Sequence, residues 1–438
     1  MISIKPLAPL HYDCPVCGSG ETVITKIHFP GIRVLADVGC KICQAQFIAD
    51  IPVGHAMYYP KMLEKNTGKI YPSAINTRWF ERLLSDLYAS KSHTSDIHIT
   101  KRIYQTVKYP VLILNCLDYL YGHVLLKLFN TSFHLETPFR YDVIVLIPAS
   151  FEWLLPAGIS EAWLVKGGLG SFKKWQHKID SFVHDEISRY EKVFLAPGYS
   201  HPDLSRLKIE VYTKTAPFDL SGFENTPPTI TFIYREDRLW HGSNLEEKVF
   251  LILQNFKWGK NFNFLFLGCQ KRRIVKFFKA IKKSEDKINC VLVGLGKRGV
   301  YPEFISDVRS SKITAETETD WCSTYSRSHV VVGVHGSNML LPTAHAAAFV
   351  EILPDTRIGN ITQDVFCRYH DRMMIFMGRF VSYTTSCKTV AKQALSIIKN
   401  YSVFKLNNDP AYLDYSENDL HLQYSRKYSD FMKKWEKR

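Results

Sequence analysis

Four cysteines near the amino terminus have the spacing of a metal site. The first C-x2-C pair and the second are separated by 22 residues, and the pairs are Cys14 with Cys17 and Cys40 with Cys43. Four thiolates so placed can take the tetrahedral positions around zinc, and such a zinc adds folding energy to a module too small for its own core. The alternatives are an unmetallated redox pair or simple buried cysteines. The spacing favours a structural zinc in a zinc-ribbon-like module.

A polar turn in the carboxyl-terminal half has the character of an anion site. Val330 to Val334 predict a short buried strand, Met339 to Ala348 a helix, and Phe349 to Leu353 the next strand. The turn between the first strand and the helix consists of His335, Gly336, Ser337 and Asn338. Ligands of α/β sheets bind at the carboxyl ends of strands, and a helix amino terminus suits phosphate. The turn therefore predicts a phosphate-binding corner.

Two basic clusters follow other predicted strands of the same half. Arg235 and Arg238 come after Thr229 to Tyr234, whereas Lys297 and Arg298 come after Cys290 to Gly294. Arginine offers a planar fork of donors to phosphate oxygens. Together with the polar turn, these clusters favour a pyrophosphate at one sheet edge. The competing interpretation is that the arginines join two domains through carboxylates.

A histidine and an aspartate follow the first predicted strand of the amino-terminal half. Asp118 and His123 lie just past Val111 to Leu114, and an apolar helix, Val124 to Phe129, comes next. A histidine there could act as a general base, with the aspartate as its partner. The alternative is a capping aspartate and a half-buried histidine.

The elements that must position these residues alternate in the manner of parallel sheets. In the first series the predicted strands are Val111 to Leu114, Val143 to Ile147, Ala162 to Val165, Val193 to Ala196 and Ile209 to Tyr212. In the second they are Thr229 to Tyr234, Phe262 to Gly268, Cys290 to Gly294, Val330 to Val334, Phe349 to Leu353 and Met373 to Met377. This rhythm predicts an α/β protein of two Rossmann-like lobes with a ligand cleft between them.

Breaks in the pattern suggest five segments. We expect a zinc-ribbon-like module at 1–50, a connector with helical pieces at 51–105, a first lobe at 106–226, a second lobe at 227–401 and a tail at 402–438. The boundary between the lobes is placed at the two consecutive prolines, Pro227 and Pro228.

Common nucleotide and metal motifs are missing from the sequence. It has no GxxxxGK[ST] loop and no Asp-x-Asp triplet. Metal-dependent sugar transfer usually shows the last of these. The sequence therefore favours chemistry without a catalytic metal, in which protein cations stabilise a leaving phosphate.

Three segments resemble the family 61 glycosyltransferases. Val332 to Asn338, together with Val350 to Pro354, resembles the family's G-x-H-G-A-x-L-x-N … V-E-x-x-P region. Tyr121 to Phe129 is similar to its Y-x-H-W-L-x-D-x-L segment, and Ile233 to Arg238 to its I-x-R-x-x-x-x-R segment. The resemblance spans about residues 111–401. Ser337 and Asn338 stand where the family usually has small apolar residues, and Lys127 stands where it often has an acid.

The resemblance implies a GT-B architecture and inverting, metal-independent transfer from a nucleotide-sugar donor bound mainly by the second lobe. By this resemblance His335, Gly336 and Ser337 line the donor diphosphate, and Arg235 and Arg238 neutralise it. Glu351 would orient the nucleoside end or the loop, and His123 would face a glycan or another hydroxyl acceptor. The zinc-ribbon-like start makes the chain look more like a bacterial enzyme of surface polysaccharide biosynthesis than like the secretory members.

The charge of the chain favours an anionic partner. Lys and Arg number 56 against 42 Asp and Glu, a formal net charge of +14. A zinc-ribbon nucleic-acid-binding protein is therefore the main alternative, but aromatic and basic residues do not interleave as in known modules, so nucleic acid is the less expected partner. A methyltransferase ranks lower, because no glycine-rich loop follows the first predicted strand.

The composition also predicts a location. No apolar run has the length of a signal peptide or a membrane span, and the cysteine usage fits a reducing cytoplasm. The tail from Ser416 to Arg438 reads as a helix with an aromatic face and a basic end. Such a helix can lie on an anionic membrane surface or pack back on the first lobe. We expect a cytoplasmic protein, with peripheral membrane contact through the tail as an open alternative.

Overall fold

The computed structural model describes residues 1–8, 10–73, 77–92, 96–136, 140–204, 207–255, 262–361, 363, 365–366 and 376–406. This part of the chain contains one antiparallel sheet near the amino terminus and two six-stranded sheets. Among the described residues, no helix combines the length and the apolar character needed to cross a bilayer. The predicted tail helix, 416–438, lies outside the described residues.

The amino-terminal sheet is an antiparallel meander that carries the cysteine pairs at one end. Its strands, in spatial order, are β2 (Thr22–His28), β3 (Leu35–Cys40), β4 (Gln46–Asp50), β5 (Met62–Glu64) and β6 (Ile70–Tyr71). Cys40 ends β3, and the first cysteine pair precedes β2. Helix α1 (Arg78–Ala89) buries Leu84 and Leu87 against Leu35 and Ile48 of this sheet. Contacts between distant apolar residues therefore support the meander in addition to the cysteines.

The first lobe has four parallel strands flanked by two antiparallel edge strands. In spatial order the strands are β1 (Ile2–Lys5), β11 (Val193–Leu195), β8 (Val111–Asn115), β9 (Asp142–Pro148), β10 (Glu161–Lys166) and β7 (His98–Ile103). Every residue of β8 and β9 is buried, as expected for parallel strands covered on both faces. The helices of this lobe are α2 (Tyr121–Phe129), α3 (Thr131–Leu135), α4 (His177–Ser188) and α5 (Glu210–Thr213).

The second lobe is a fully parallel sheet in doubly wound order. Its strands, in spatial order, are β14 (Ile305–Asp307), β13 (Asn289–Leu295), β12 (Thr229–Arg235), β15 (Val330–Val334), β16 (Phe349–Leu353) and β17 (Gly378–Ser382). This is the 3-2-1-4-5-6 order of a Rossmann fold. The helices are α6 (Asn244–Asn255), α7 (Asn263–Ser284), α8 (Ala315–Tyr325), α9 (Leu340–His345), α10 (Cys387–Lys399) and α11 (Tyr401–Leu406). The predicted class, α/β with two Rossmann-like lobes after a small module, is confirmed.

Three predicted elements were wrong. Residues 262–268 belong to the start of α7, not to a strand, because the apolar spacing continues through Ile274, Phe278 and Ile281 on one buried helical face. Ile209 to Tyr212 lies at the short helix α5 instead of a strand. The helix after the polar turn ends at His345, three residues earlier than predicted. The predicted strand Met373 to Met377 begins outside the described residues, and β17 starts directly after it.

The two lobes meet at the carboxyl ends of their central strands. In each sheet the strand order reverses beside the first parallel strand, which is β8 in the first lobe and β12 in the second. Gly122 of α2 lies so close to Ser337 that a Cβ on the glycine would be 2.3 Å from the serine Cβ. Thr213 Oγ1 also lies 2.9 Å from His345 Nε2. The ligand-binding edges of the two sheets therefore face each other across α2.

Candidate active site

Asp118 follows β8 and is the centre of a buried polar cluster in the first lobe. Its Oδ2 accepts a hydrogen bond from His55 Nε2 at 2.6 Å and forms an ion pair with Lys127 Nζ at 2.9 Å. Its Oδ1 accepts one from the backbone N–H of Leu120 at 3.0 Å. Lys127 belongs to α2, and His55 to a 3₁₀ turn at 54–57 in the amino-terminal region. Three segments far apart in sequence therefore converge on one carboxylate.

The charges in this cluster are fixed by burial and by one ion pair. Burial alone would raise the pKa of the Asp118 carboxyl, but the Lys127 ammonium and the neighbouring histidines outweigh it and hold that pKa well below its usual range. Burial lowers the pKa of His55 to about 4, against the opposing pull of Asp118. At neutral pH the cluster therefore holds a carboxylate, an ammonium and a neutral His55 that donates from Nε2.

His123 is the accessible member of the cluster. Its side chain is 18% exposed, whereas those of His55 and Asp118 are 3% and 0% exposed. Its Nδ1 is buried, has no hydrogen-bond partner within the described part of the chain, and lies 3.6 Å from Asp118 Oδ1, longer than a good hydrogen bond. The His201 ring, from the segment after β11, stands edge-on at 5.3 Å. A carboxylate behind an accessible imidazole is the arrangement that a general base requires.

The same three side chains also have the spacing of metal ligands. One ligand atom from each of His55, Asp118 and His123 lies within 4.8 Å of the others. However, the Lys127 ammonium already neutralises the shared carboxylate at 2.9 Å. A divalent ion added there would face a buried positive charge. The cluster is therefore better suited to proton transfer than to holding a cation.

In the second lobe, the ring of His335 points into the protein. It is fully buried, Nδ1 contacts the Glu351 carboxylate of β16, and Nε2 lies 3.2 Å from the carbonyl oxygen of Asn360. Both ring nitrogens thus face oxygen acceptors inside the lobe. His335 and Glu351 hold the polar turn against the neighbouring strand.

Gly336 lets an arginine side chain cross the turn. Its φ is +144°, and a Cβ there would lie 1.3 Å from Arg238 Nη1. Arg238 Nη1 also donates a hydrogen bond to the carbonyl oxygen of His335 at 3.2 Å. Only glycine combines this backbone conformation with so close an approach. The arginine is therefore held directly over the polar turn.

Arg235, Ser337 and Asn338 line one small cavity between the lobes. Arg235 donates two hydrogen bonds of 2.7 Å to the carboxylate of Asp237. These bonds are within the second lobe and do not join it to the first lobe. Asn338 Nδ2 donates to the carbonyl oxygen of Val334 at 3.2 Å, whereas its buried Oδ1 has no hydrogen-bond partner among the residues that the structure describes. The three side chains thus lie together at the carboxyl edge of β12 and β15.

Lys297 and Arg298 lie further out, after β13. The backbone N–H of Lys297 donates to Glu236 Oε1 at 3.1 Å, and its side chain is exposed. Arg298 Nε donates to the carbonyl oxygen of Arg309 at 2.8 Å. Neither residue lines the cavity that Arg235 shares with the turn. The three basic and polar clusters are therefore on one sheet edge, but only two of them meet.

The first lobe reaches this cavity through Tyr121, whose hydroxyl donates to the carboxyl of Glu318 on α8. Burial raises the pKa of Glu318 to about 7. An acid with this pKa carries a proton about half of the time at neutral pH, which reduces its repulsion of a phosphate. The cavity measures about 40 Å³, room for very few waters, so a larger ligand requires the lobes to part.

A second cavity of about 900 Å³ lies at the opposite, amino-terminal ends of β12 and β13.

The four paired cysteines form one sulfur cluster. Cys14 Sγ is 3.5 Å from Cys43 Sγ, Cys17 Sγ is 3.6 Å from Cys40 Sγ, and all four atoms lie within 4.8 Å of one another. Tetrahedral zinc with Zn–S bonds of about 2.3 Å would need sulfur atoms roughly 3.8 Å apart. The four cysteines therefore fit a metal ion, and as a closed set of ligands they fit a structural one.

Three residues near the site were not predicted from the sequence. His55 lies in the connector, 63 positions from the aspartate that it contacts. His201 follows β11, and Glu318 looked like an ordinary acid in the first turn of a helix. Only for His201 was there a usable signal, namely its position after a predicted central strand.

Comparisons with known proteins add little. No family model matches the chain, and no curated protein matches it. Among solved structures, a protein assigned as a UDP-N-acetylglucosamine 2-epimerase from Listeria monocytogenes is 10% identical, with 68% of this chain and 90% of that chain covered and a TM-score of 0.34. The glycosyltransferase SnogD from Streptomyces nogalater is 11% identical over 64% of this chain and 74% of that chain, with a TM-score of 0.22. These scores carry no weight for function, and the fold assignment rests on the strand order of the two sheets.

Proposed function

We propose that this protein is an inverting glycosyltransferase that uses no catalytic metal and moves a sugar from a nucleotide-sugar donor to a hydroxyl acceptor. One observation carries the proposal. The strand order reverses at β8 and at β12, and contact between α2 and the polar turn brings these two ligand-binding edges face to face. An accessible histidine backed by a carboxylate lies on one side, and arginines over a glycine turn lie on the other.

The donor occupies the second-lobe side in this proposal. Arg235 and Arg238 take the charge of the diphosphate, and the backbone at Gly336 and Ser337 approaches its oxygens. His335 and Glu351 act indirectly, because they hold the turn from inside the lobe. Lys297 and Arg298 were predicted as donor residues as well, and because they lie after β13 we propose that they contact the outer part of the donor.

The acceptor occupies the first-lobe side. His123 removes the proton from its hydroxyl, and the oxygen attacks the anomeric carbon as the bond to the diphosphate breaks. Asp118 remains ionised and stabilises the imidazolium that forms, while Lys127 and His55 hold that carboxylate in place. Attack from the side opposite the leaving group inverts the anomeric centre.

We further propose that the four cysteines hold zinc and that the zinc is purely structural. Surface polysaccharide biosynthesis and a cytoplasmic location remain predictions from the sequence, and membrane contact through the tail remains an open alternative. The acceptor would then be a glycan, which the aromatic surroundings of His123 also suggest.

A thermal-shift screen with nucleoside diphosphates and nucleotide sugars tests the donor site. A ligand that binds only the folded state raises the melting temperature, so one nucleotide class should give a clear shift. Arg238→Ala should abolish that shift, whereas Arg272→Ala, an exposed arginine on α7 of the same lobe, should leave it unchanged. No shift with any nucleotide would refute the proposal, and tight, salt-dependent nucleic-acid binding would support the alternative.

A further inference from the structure

Three exposed aromatic rings lie on the segments beside the accessible His123. Tyr58 is 50% exposed, Trp79 42% and Tyr199 37%. Single exposed rings are ordinary on protein surfaces, but a group of them beside an accessible polar residue indicates a binding surface. These three rings are called the aromatic rim below.

Trp79 of the aromatic rim contacts the histidine cluster, and the two tyrosines lie beside it in the sequence. The Trp79 indole stands edge-on to His55, with ring centroids 5.3 Å apart, and the His55 ring is 4.9 Å from that of His123. Tyr58 directly follows the 3₁₀ turn that carries His55. Tyr199 comes two residues before His201, whose ring is 5.3 Å from His123. The rim is therefore continuous with the proposed base.

Backbone hydrogen bonds fix the two segments that carry the tyrosines. The N–H of Gly54 donates to the carbonyl oxygen of Pro197 at 2.7 Å, which joins the amino-terminal turn to the segment after β11. The N–H of Tyr199 donates to Asn130 Oδ1 at 3.1 Å. Burial raises the pKa of Tyr58, and the Tyr199 phenol raises it further. The rings of the two tyrosines thus extend from backbone segments that are fixed by hydrogen bonds.

The chemistry of the rim matches a sugar ring. A pyranose has a C–H face that packs on flat aromatic rings and hydroxyls at its edge that bond to phenol and indole groups. The aromatic rim offers both flat ring faces and phenol and indole groups, next to a histidine that can take a hydroxyl proton. We propose that the aromatic rim is a saccharide-binding subsite that holds the acceptor glycan against His123, and that the amino-terminal region, through Tyr58 and Trp79, supplies part of it.

This inference rests on the proposed function, but its test is separate. The full chain is applied to an oligosaccharide array with cellohexaose, maltohexaose, chitohexaose and branched mannose oligosaccharides, with a serine- and threonine-rich peptide set beside them. We expect binding to at least one glycan class and no binding to the peptides. Trp79→Ala and Tyr199→Ala should each weaken it by roughly tenfold or more, as expected for a central aromatic anchor. Trp79→Phe should retain most of it.

Tyr104→Ala is the matched control, since Tyr104 is 53% exposed on the same lobe but lies after β7, outside the rim. It should bind glycans like the wild type. Glycan binding that survives both rim substitutions, binding to peptides instead of glycans, or binding to nothing on the array would overturn the saccharide assignment. A nucleotide-induced thermal shift in the same preparation would leave the transferase proposal standing. Rim-dependent glycan binding without any nucleotide shift would support the subsite and reject the transferase.

Discussion

Glu318→Gln should change how the stability of this protein depends on pH. Glu318 is 5% exposed on α8, and its carboxyl accepts the hydroxyl hydrogen of Tyr121 across the lobe boundary. Glutamine keeps the shape and the acceptor oxygen but cannot ionise. The substitution therefore isolates the cost of a buried charge at the meeting point of the lobes.

The expected size follows from the raised pKa. Burial raises the pKa of Glu318 from 4.5 to about 7. The folded state holds this proton more tightly than the unfolded chain, so the stability that it contributes is fully present below about pH 4.5. It is lost as the pH rises through about 7. At roughly 1.4 kcal/mol per pKa unit, the loss amounts to about 3 kcal/mol.

The assay is thermal and urea unfolding of the wild type and Glu318→Gln at pH 4.5 and pH 8. Every other titrating group is shared, so the difference between the two proteins should grow by about 3 kcal/mol in favour of the variant at the higher pH. Glu316→Gln, at an exposed position on the same helix, should follow the wild type. If Glu318→Gln and the wild type lose stability in parallel between the two pH values, the buried-acid reasoning is wrong.

Three further predictions concern the buried ion pair, the glycine turn and the sulfur cluster. Lys127→Met should lower the free energy of unfolding in urea by about 3–5 kcal/mol, because it leaves a buried carboxylate unpaired. Adding Asp118→Asn should restore much of that free energy. An unchanged urea midpoint for Lys127→Met alone would contradict the pairing. Gly336→Ala should abolish the nucleotide-induced thermal shift, because a Cβ would collide with the arginine that crosses the turn; a normal shift would remove the turn from the donor site. Mass spectrometry of the native protein should find one zinc per chain, lost in Cys40→Ser and kept in Cys269→Ser; a metal-free wild type would exclude a zinc site.

The sheets were readable from the sequence because their strands are short, apolar and buried on both faces. β8 and β15 show this pattern directly, and the turns after them could be placed at a sheet edge without coordinates. Residues 262–268 were wrongly predicted as a strand because an apolar run this short fits a buried strand and a buried helix equally well. Only the helical spacing further along, as far as Ile281, identifies it as the start of α7.

The details of the site depend on contacts that the sequence does not show. His335 was predicted to face the donor, but β15 and β16 are neighbours, and register places Glu351 beside Gly333, close enough for the carboxylate to contact the histidine ring. His55 comes from the amino-terminal region and meets Asp118 only because the meander folds against the first lobe. Pairings of this kind depend on tertiary packing, so the local spacing of residues in the sequence does not predict them.

The most direct test of the proposed chemistry compares His123→Ala with the wild type in two assays on the same preparations. One assay measures the nucleotide-induced thermal shift, and the other measures release of nucleoside diphosphate from a nucleotide sugar in the presence of glycan. His98→Ala, at an exposed histidine of β7, is the control. We predict an unchanged thermal shift and a loss of turnover of about 10²–10⁴-fold or more for His123→Ala alone. Normal turnover by His123→Ala would contradict the assignment of the base and, with it, the proposed mechanism.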